Sequence, residues 1–321
     1  MACSDDVLQK HLKFLQALPA HGNRTLHIDQ LFLGLLLAFY DPMVRSMRLI
    51  EDCGNFAGHL DLNRLARSTT SDALKVFDPE HLKPLIRDLR ARVPELARTD
   101  ATLGTVTQRI IAADGTYFTV LSEVAWALRH TNRGGRPQGQ VRANVQMDVD
   151  RWTPEVVTVS GDDGKSEAMS FAPDLLSDVL YVIDRNFLDF SFLGKLLEKR
   201  NNFVLRAKSN APKNRGDLDA RAKCCRYEGG VVSDEIVTLS GKGAPAGEFR
   251  LVTIHTTNRH GEKEIIRLLT NLMEQAAHVI GAIYRLRWQI ELFFKWLKTW
   301  ARMNHLLARA ATGSRSSFTS R

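Results

Sequence analysis

Tyr284, Arg287, Glu291 and Lys298 stand at offsets of three, seven and fourteen within Gly281-Ala-Ile-Tyr-Arg-Leu-Arg-Trp-Gln-Ile-Glu-Leu-Phe-Phe-Lys-Trp-Leu-Lys298. At about 100° of rotation per residue they fall within roughly 60° of one another on a helix, as a single polar stripe. Leu286, Ile290, Phe293, Leu297 and Trp300 cluster on a different side of the same projection. The segment therefore reads as one amphipathic helix with its apolar face turned to a core. Arg287 and Glu291 alone would be an ordinary i,i+4 surface pair. A carboxylate between two cations and a phenol, with Trp288 beside them, instead suits a metal ion and a phosphate.

Two further carboxylates stand where a sheet would expose them. Asp114 closes the apolar run Ile110-Ile-Ala-Ala and precedes Gly115-Thr116, while Asp184 follows Val179-Leu-Tyr-Val-Ile183 and precedes Arg185-Asn186-Phe187. Each alone is an unremarkable strand-end residue. Together they are expected at one rim of a sheet, and with Glu291 they make three acids. Three such acids are sufficient for a two-metal phosphoryl-transfer site, because Mg2+ takes hard oxygen ligands and keeps several waters.

The order Tyr284, Arg287, Glu291, Lys298 resembles the signature of cut-and-paste DDE transposases of bacterial insertion sequences, specifically the insertion-sequence family numbered four. Asp114-Gly-Thr resembles the first catalytic motif of that family, and Asp184-Arg-Asn-Phe its second, with Asn186 where Gly is usual. Asn tolerates a left-handed turn, so the departure is mild. The resemblance continues through Arg67-Ser-Thr with Ser71-Asp-Ala, Phe203-Val-Leu-Arg-Ala-Lys208 and Leu269-Thr-Asn-Leu272, and covers most of residues 60–307. It implies an RNase H-like catalytic domain with a β-strand insertion, and a homodimer assembled on double-stranded DNA, with terminal inverted repeats and target as substrates. Asp114, Asp184 and Glu291 would be catalytic and would hold two Mg2+ (or Mn2+) ions. Arg287 and Lys298 would hold backbone phosphates and Tyr284 would donate a hydroxyl hydrogen bond. Trp288 is a candidate for stacking on an extruded base, but its projection away from the polar stripe favours core packing.

Other polar groups carry less. Arg206, Lys208, Lys213 and Arg215 suit either a DNA-tracking patch or a solvated turn. His255 and His260, with Glu262, follow no established ligand spacing. No Gly-rich phosphate loop, GxSxG or HExxH occurs, so a nucleotide cofactor is not expected.

These residues need elements to position them, and the fold class expected is α/β, an RNase H-like domain preceded by an α-helical N-terminal domain. Residues 1–100 read as helical, with helices at 28–39, 42–53 and after Asp78-Pro-Glu80. Leu62 to Leu74 reads as a helix, a Ser-Thr-Thr-Ser turn and a second helix, either a DNA-binding pair or a structural one. From 101 to 307 short β-type runs appear at 106–112, 117–121, 143–149, 156–159 and 179–183, then a helix at 188–200 and a strand at 203–207. About 210–270 reads as an antiparallel β insertion.

The 321 residues are enough for two or three domains, and 44 Lys and Arg against 36 Asp and Glu give a net charge of +8, which favours a polyanionic partner. The four cysteines form no CxxC pair, which fits a reducing cytoplasm. The longest apolar run, Leu31 to Tyr40, is too short to span a bilayer and no secretory signal opens the chain. Beyond Leu307, residues 308–321 carry one large apolar side chain, Phe318. They read as a disordered tail replacing the apolar helices expected there, as in a truncation or frame change. The expected function is a DNA transposase performing cut-and-paste phosphoryl transfer in the bacterial cytoplasm at the nucleoid. The alternatives are a catalytically inactive DNA-binding remnant and a stand-alone RNase H-like nuclease.

Overall fold

The structure, a computed structural model, describes residues 2–20, 26–40, 48–49, 51–52, 65–96, 98, 100–120, 128–131, 137–161, 166–207, 218–221, 230–257 and 261–300. Lys208, Lys213, Arg215, His260, most of the helix expected at 42–53, residues 62–64 of the 62–74 pair and the tail 308–321 lie outside these residues. No described helix is long and apolar enough to cross a membrane.

Ahead of the sheet the described residues are helical: α1 (Ala2–Gln16), α2 (Ile28–Tyr40), α3 (Arg67–Val76) and α4 (Lys83–Arg92). Leu15, Ile28 and Phe32 are buried among Leu8, Leu12, Leu36, Phe77, Leu82 and Leu85, so this region has a small apolar core of its own. Pro79 opens the turn Pro79–Leu82 ahead of α4, as expected, and Asp78 caps it by accepting from the Glu80 N–H. The Ser-Thr-Thr-Ser segment is a correction. It lies inside α3 and makes no turn, with Thr70 N donating to Ala66 O and Thr70 and Ala73 both buried. Burying that side of the helix outweighs the capping preference of the hydroxyls.

After residue 100 the described strands build one mixed sheet. Its described strands are β1 (Ile110–Val120), β2 (Leu128–Thr131), β3 (Pro137–Asp148), β4 (Thr153–Ser160), β5 (Leu180–Ile183), β6 (Asn202–Ala207), β7 (Leu218–Arg221), β8 (Val231–Leu239), β9 (Glu248–Thr257) and β10 (Lys263–Thr270). The order is β2-β3-β1-β5-β6-β10-β9-β8-β7, with β4 also on β3; β1, β5 and β6 are mutually parallel and the other pairings antiparallel. The two runs expected at 106–112 and 117–121 are thus one strand. The antiparallel strands expected as an insertion continue the central sheet, because β10 pairs with β6.

Alternation along the strands sends side chains to two cores. Ile110 and Ala112 of β1 and Leu180 and Val182 of β5 face one side, packed by α7 (Ala277–Arg285) and α8 (Trp288–Thr299) through Val279, Ile280, Ile283, Ile290 and Phe294. Ile111, Ala113, Tyr181 and Ile183 face the other, packed by α5 (Glu167–Phe171) and α6 (Phe190–Glu198) through Phe171, Phe192, Leu193 and Leu196. The period of two therefore assigns Asp114 and Asp184, both even-numbered, to the α7/α8 face.

Polar side chains anchor the elements that carry the site. On β3, Arg142, Asn144, Gln146 and Asp148 are buried and partnered: Tyr181 Oη donates to Gln146 Oε1 at 2.5 Å and Arg109 grips Asp148 at 2.8 Å. Arg250 of β9 is the main anchor of the loop entering α7. Its guanidinium forks onto Asp234 and donates to the carbonyls of Leu272, Met273 and Gln275 at 2.8, 3.1 and 2.6 Å. Arg250→Met strands the Asp234 charge and three carbonyls, and should lower unfolding free energy by about 3–5 kcal/mol in urea denaturation; a loss under about 1 kcal/mol would show that the anchor is dispensable.

Candidate functional site

The site begins with unequal strand lengths. β1 and β5 run in parallel register up to Ala113 against Ile183, where β5 stops. The next residues in that register are Asp114 and Asp184, so the carboxylates stand side by side where the β5 backbone leaves the sheet. Asp114 is not at a strand end as the sequence predicts: β1 continues to Val120 because β3 goes on pairing with it. Only its parallel neighbour ends.

The helix carrying Glu291 comes down on the same face, with a difference from expectation. The single helix predicted over 281–298 is two, α7 and α8, joined at Leu286 and Arg287. The joint keeps helical angles but tightens to i→i−3 bonds, Arg287 N to Tyr284 O at 3.1 Å and Ile290 N to Arg287 O at 3.2 Å. Tyr284 is thereby buried in α7, 8 % exposed, and Arg287 opens α8 against the sheet. The apolar face shifts too. Ile290 and Phe294 form the buried edge, Trp300 is 77 % exposed, and Trp288, expected to pack in the core, is 52 % exposed.

Two of the four signature residues, Tyr284 and Arg287, meet the two aspartates. Tyr284 Oη donates to Asp184 Oδ1 at 3.4 Å. Arg287 Nη1 lies 3.8 Å from Asp114 Oδ2, and Nη2 donates to Glu291 Oε1 at 2.6 Å. One guanidinium thus bridges the strand carboxylate and the helix carboxylate, and its buried Nε has no hydrogen-bond partner among the described residues. Lys298 Nζ sits 5.7 Å over the ring of Phe118, four residues along β1 from Asp114, so α8 follows the strand. Burial lowers the Lys298 ammonium below its ordinary value. Burial raises the Tyr284 phenol, which keeps it a neutral donor. Arg206 pairs with Glu264 of β10. His255 is exposed on β9 and joins no group of ligands among the described residues.

One acid in the pocket escapes sequence reasoning. Glu167, the first residue of α5, lies against Gly115 and interacts electrostatically with Asp114, Asp184 and Asn186, while the Gly115 N–H donates to Asp114 Oδ1 at 2.8 Å. Its five-residue helix has too little periodicity to stand out. The usable signal was Ser166-Glu167 as a cap opening a helix shortly before the Asp184 strand.

Charge is in excess here. Burial raises Asp114 to about 6 from an ordinary 3.8, Glu167 and Asp184 add to the rise, and the Gly115 N–H and Arg287 only partly offset it. Glu167 is raised likewise, first by burial. Hard carboxylate oxygens short of countercharge have the donor chemistry that fits a divalent cation. Among the described residues, however, no three His, Cys, Asp or Glu are gathered tightly enough to cage one. Arg287 holds Glu291 and stands where positive charge is wanted.

The Asp114 shift carries a stability cost at neutral pH. The folded-state value lies above the unfolded one, so its favourable contribution is complete below pH 3.8 and is lost as pH rises through about 6. At ~1.4 kcal/mol per unit the loss is about 3 kcal/mol. Asp114→Asn should therefore raise the chemical-denaturation stability of the metal-free protein at pH 8 by about 1–3 kcal/mol, with the gain shrinking towards pH 4. An equal gain at both pH values would exclude the titration.

The model of the transposase DDE domain family matches residues 105–317. A protein of Sinorhizobium fredii described as transposase y4zB is 27% identical over 181 residues, 56% of this chain and 48% of that one, so the chain spans about half the length of that relative. A protein of Synechocystis described as the transposase of insertion sequence element IS4SA is 25% identical over 299 residues, covering 89% of this chain and 75% of its own. A solved piggyBac transposase synaptic complex with hairpin DNA aligns over 92% of this chain and 65% of its own at 11% identity, with a TM-score of 0.40. With two carboxylates level at the β1/β5 rim, a third on the facing helix and the family's domain matched across all of them, the chain belongs to the DDE transposase family.

Proposed function

We propose that this protein is a DNA transposase that cleaves strands at insertion-sequence ends and joins them to target DNA, with Asp114, Asp184 and Glu291 as its catalytic acids. The observation that carries this reading is the Asp114/Asp184 pair, level in the β1/β5 register, with Glu291 tied to Asp114 through Arg287. The strand order β4-β3-β1-β5-β6, with β3 and β4 antiparallel and β5 and β6 parallel, supports an RNase H-like catalytic domain over about 101–307. The strands of about 210–270 form its insertion, and the helices before residue 100 a separate lobe. Neither the fold nor the relatives favour a non-catalytic remnant.

The three acids would hold Mg2+ or Mn2+, two ions in all. Bound divalent ions supply Lewis acidity, activating the attacking water or 3′-hydroxyl and stabilising the leaving 3′-oxygen. No protein nucleophile is needed. The chain itself supplies position and countercharge. Arg287, charged at any working pH, can give its planar fork to a backbone phosphate when it releases Glu291. Lys298 adds a partly desolvated point charge two turns beyond Glu291 on α8, and Tyr284 remains a neutral hydroxyl donor beside Asp184. Trp288, exposed at the start of α8, is free to stack on a base. Arg206 must first leave Glu264 to reach DNA. Terminal repeats and target DNA are the substrates, a homodimer the assembly, and the bacterial nucleoid the location.

Labelled terminal inverted repeats incubated with Mg2+ test the reading. Wild-type protein should nick them, and Glu291→Gln should lose at least about a hundredfold in rate; equal cleavage by both would remove Glu291 from the mechanism. Lys298→Ala should weaken repeat binding uniformly across sequences and shallow the dependence of log affinity on log salt by about one unit. An unchanged slope in filter binding would place that ammonium off the phosphates.

A further inference from the structure

The sheet rim at Asp114 is built from both faces. Asp114 faces α7 and α8, while Gly115, the next residue, turns its missing side chain to the face where α5 begins. A Cβ at Gly115 would lie 2.6 Å from Glu167 Oε1 and 3.0 Å from Arg142 Cδ. The Glu167 carboxylate therefore rests against the Gly115 backbone, and a Cβ there would have to displace it.

Glu167 is held from several sides. The Asn186 side chain favours its charged form, the Gly115 backbone lies against it, and Arg142 supplies positive charge near it. Arg142 is itself fixed, 7 % exposed, donating to Asn144 Oδ1 at 2.9 Å and to Ser170 Oγ of α5 at 2.6 Å. Asn186 stands two residues beyond Asp184 in the turn Arg185–Phe187. One carboxylate thus links the residue after Asp114 to the turn after Asp184, two segments that share no strand pairing beyond Ala113 and Ile183. The Asn in place of the usual Gly at 186 puts a polar side chain beside this carboxylate.

We propose that Glu167 is a positioning residue of the catalytic centre, bracing the Asp114 and Asp184 segments from the far face of the sheet so that their carboxylates stay level. The proposal rests on the reading of the pocket as a DNA-cleaving centre. Such a brace answers a physical need, since two neighbouring carboxylates repel and the β5 ladder ends before reaching them.

The test compares Glu167→Ala, Glu167→Gln, Asn186→Ala, Gly115→Ala and the Gly115→Ala/Glu167→Ala double variant with wild type. Mn2+ affinity of the free protein is read by calorimetry, and single-turnover nicking of terminal repeats at saturating Mg2+ is read beside Glu291→Gln. Glu167→Ala and Asn186→Ala should each weaken Mn2+ binding and slow nicking by about 10- to 100-fold, with DNA affinity changed less than about threefold. Glu167→Gln keeps an acceptor oxygen and should stay within about fivefold of wild type. Gly115→Ala should reproduce the Glu167→Ala loss by displacing the carboxylate, and the double variant should be no worse than Glu167→Ala alone. Wild-type Mn2+ affinity in Glu167→Ala, or a Gly115→Ala defect that adds undiminished to it, overturns the proposal. Should Glu167→Ala not fold, wild-type Mn2+ affinity in Asn186→Ala overturns it equally. A wild-type protein that nicks no DNA would instead sink the functional reading, while the Mn2+ and double-variant results on free protein still decide the brace.

Discussion

The parallel pairing of a long strand with a short one is the constraint on which the site depends. β1 runs eleven residues and β5 four, and the two part after Ala113 and Ile183. Hydrogen bonding fixes the register of everything before that point, so the next residue of each chain is placed almost without freedom. Both are aspartates. The sheet thus sets two carboxylates beside each other, on the face covered by the last two helices, where hydrophobic burial has already removed much of the water.

The remaining structure manages that charge. Tyr284 answers Asp184 with a neutral hydroxyl, and Arg287 answers Asp114 and Glu291 with one guanidinium. The tightened joint between α7 and α8 makes both possible. In α7 six consecutive residues, Val279 to Tyr284, are buried, and the turn at Leu286 and Arg287 then redirects the chain along β1. An unbroken straight helix would have kept the four signature residues on one stripe; the joint lets the phenol sink towards the sheet while Lys298 follows the strand. Arg250 fixes the approach to this unit by filling the carbonyls of the preceding loop.

Stability and function pull apart at this rim. Asp114 is held in a pocket that disfavours its charge, whereas the proposed chemistry needs that charge to bind a cation. Arg287 relieves the conflict in the free protein by lending its own charge to Asp114 and Glu291. DNA phosphates and divalent ions would exchange roles with it, the phosphate taking the guanidinium and the ions taking the carboxylates.

Local chemistry was legible in the sequence. Apolar runs ending in Asp114 and Asp184 marked two strands, the Tyr284, Arg287, Glu291, Lys298 spacing marked a helix face, and Asp78-Pro-Glu marked a helix start, because each depends on residues near in sequence. Strand order, the continuation of β1 past Asp114, the joining of β10 to β6, and the exposure of Trp288 were not legible. These depend on which distant strand or core offers partners, and neither a period of two nor one of 3.6 encodes that choice. Glu167 was hidden for the same reason: 53 positions from Asp114 in sequence, it meets the rim only because α5 packs on the face opposite α7 and α8. The sequence by itself determined which side chains carry charge and which elements present them; only the tertiary structure decided which charges share one half-buried pocket, since burial and long-range pairing set the distances on which their interaction depends.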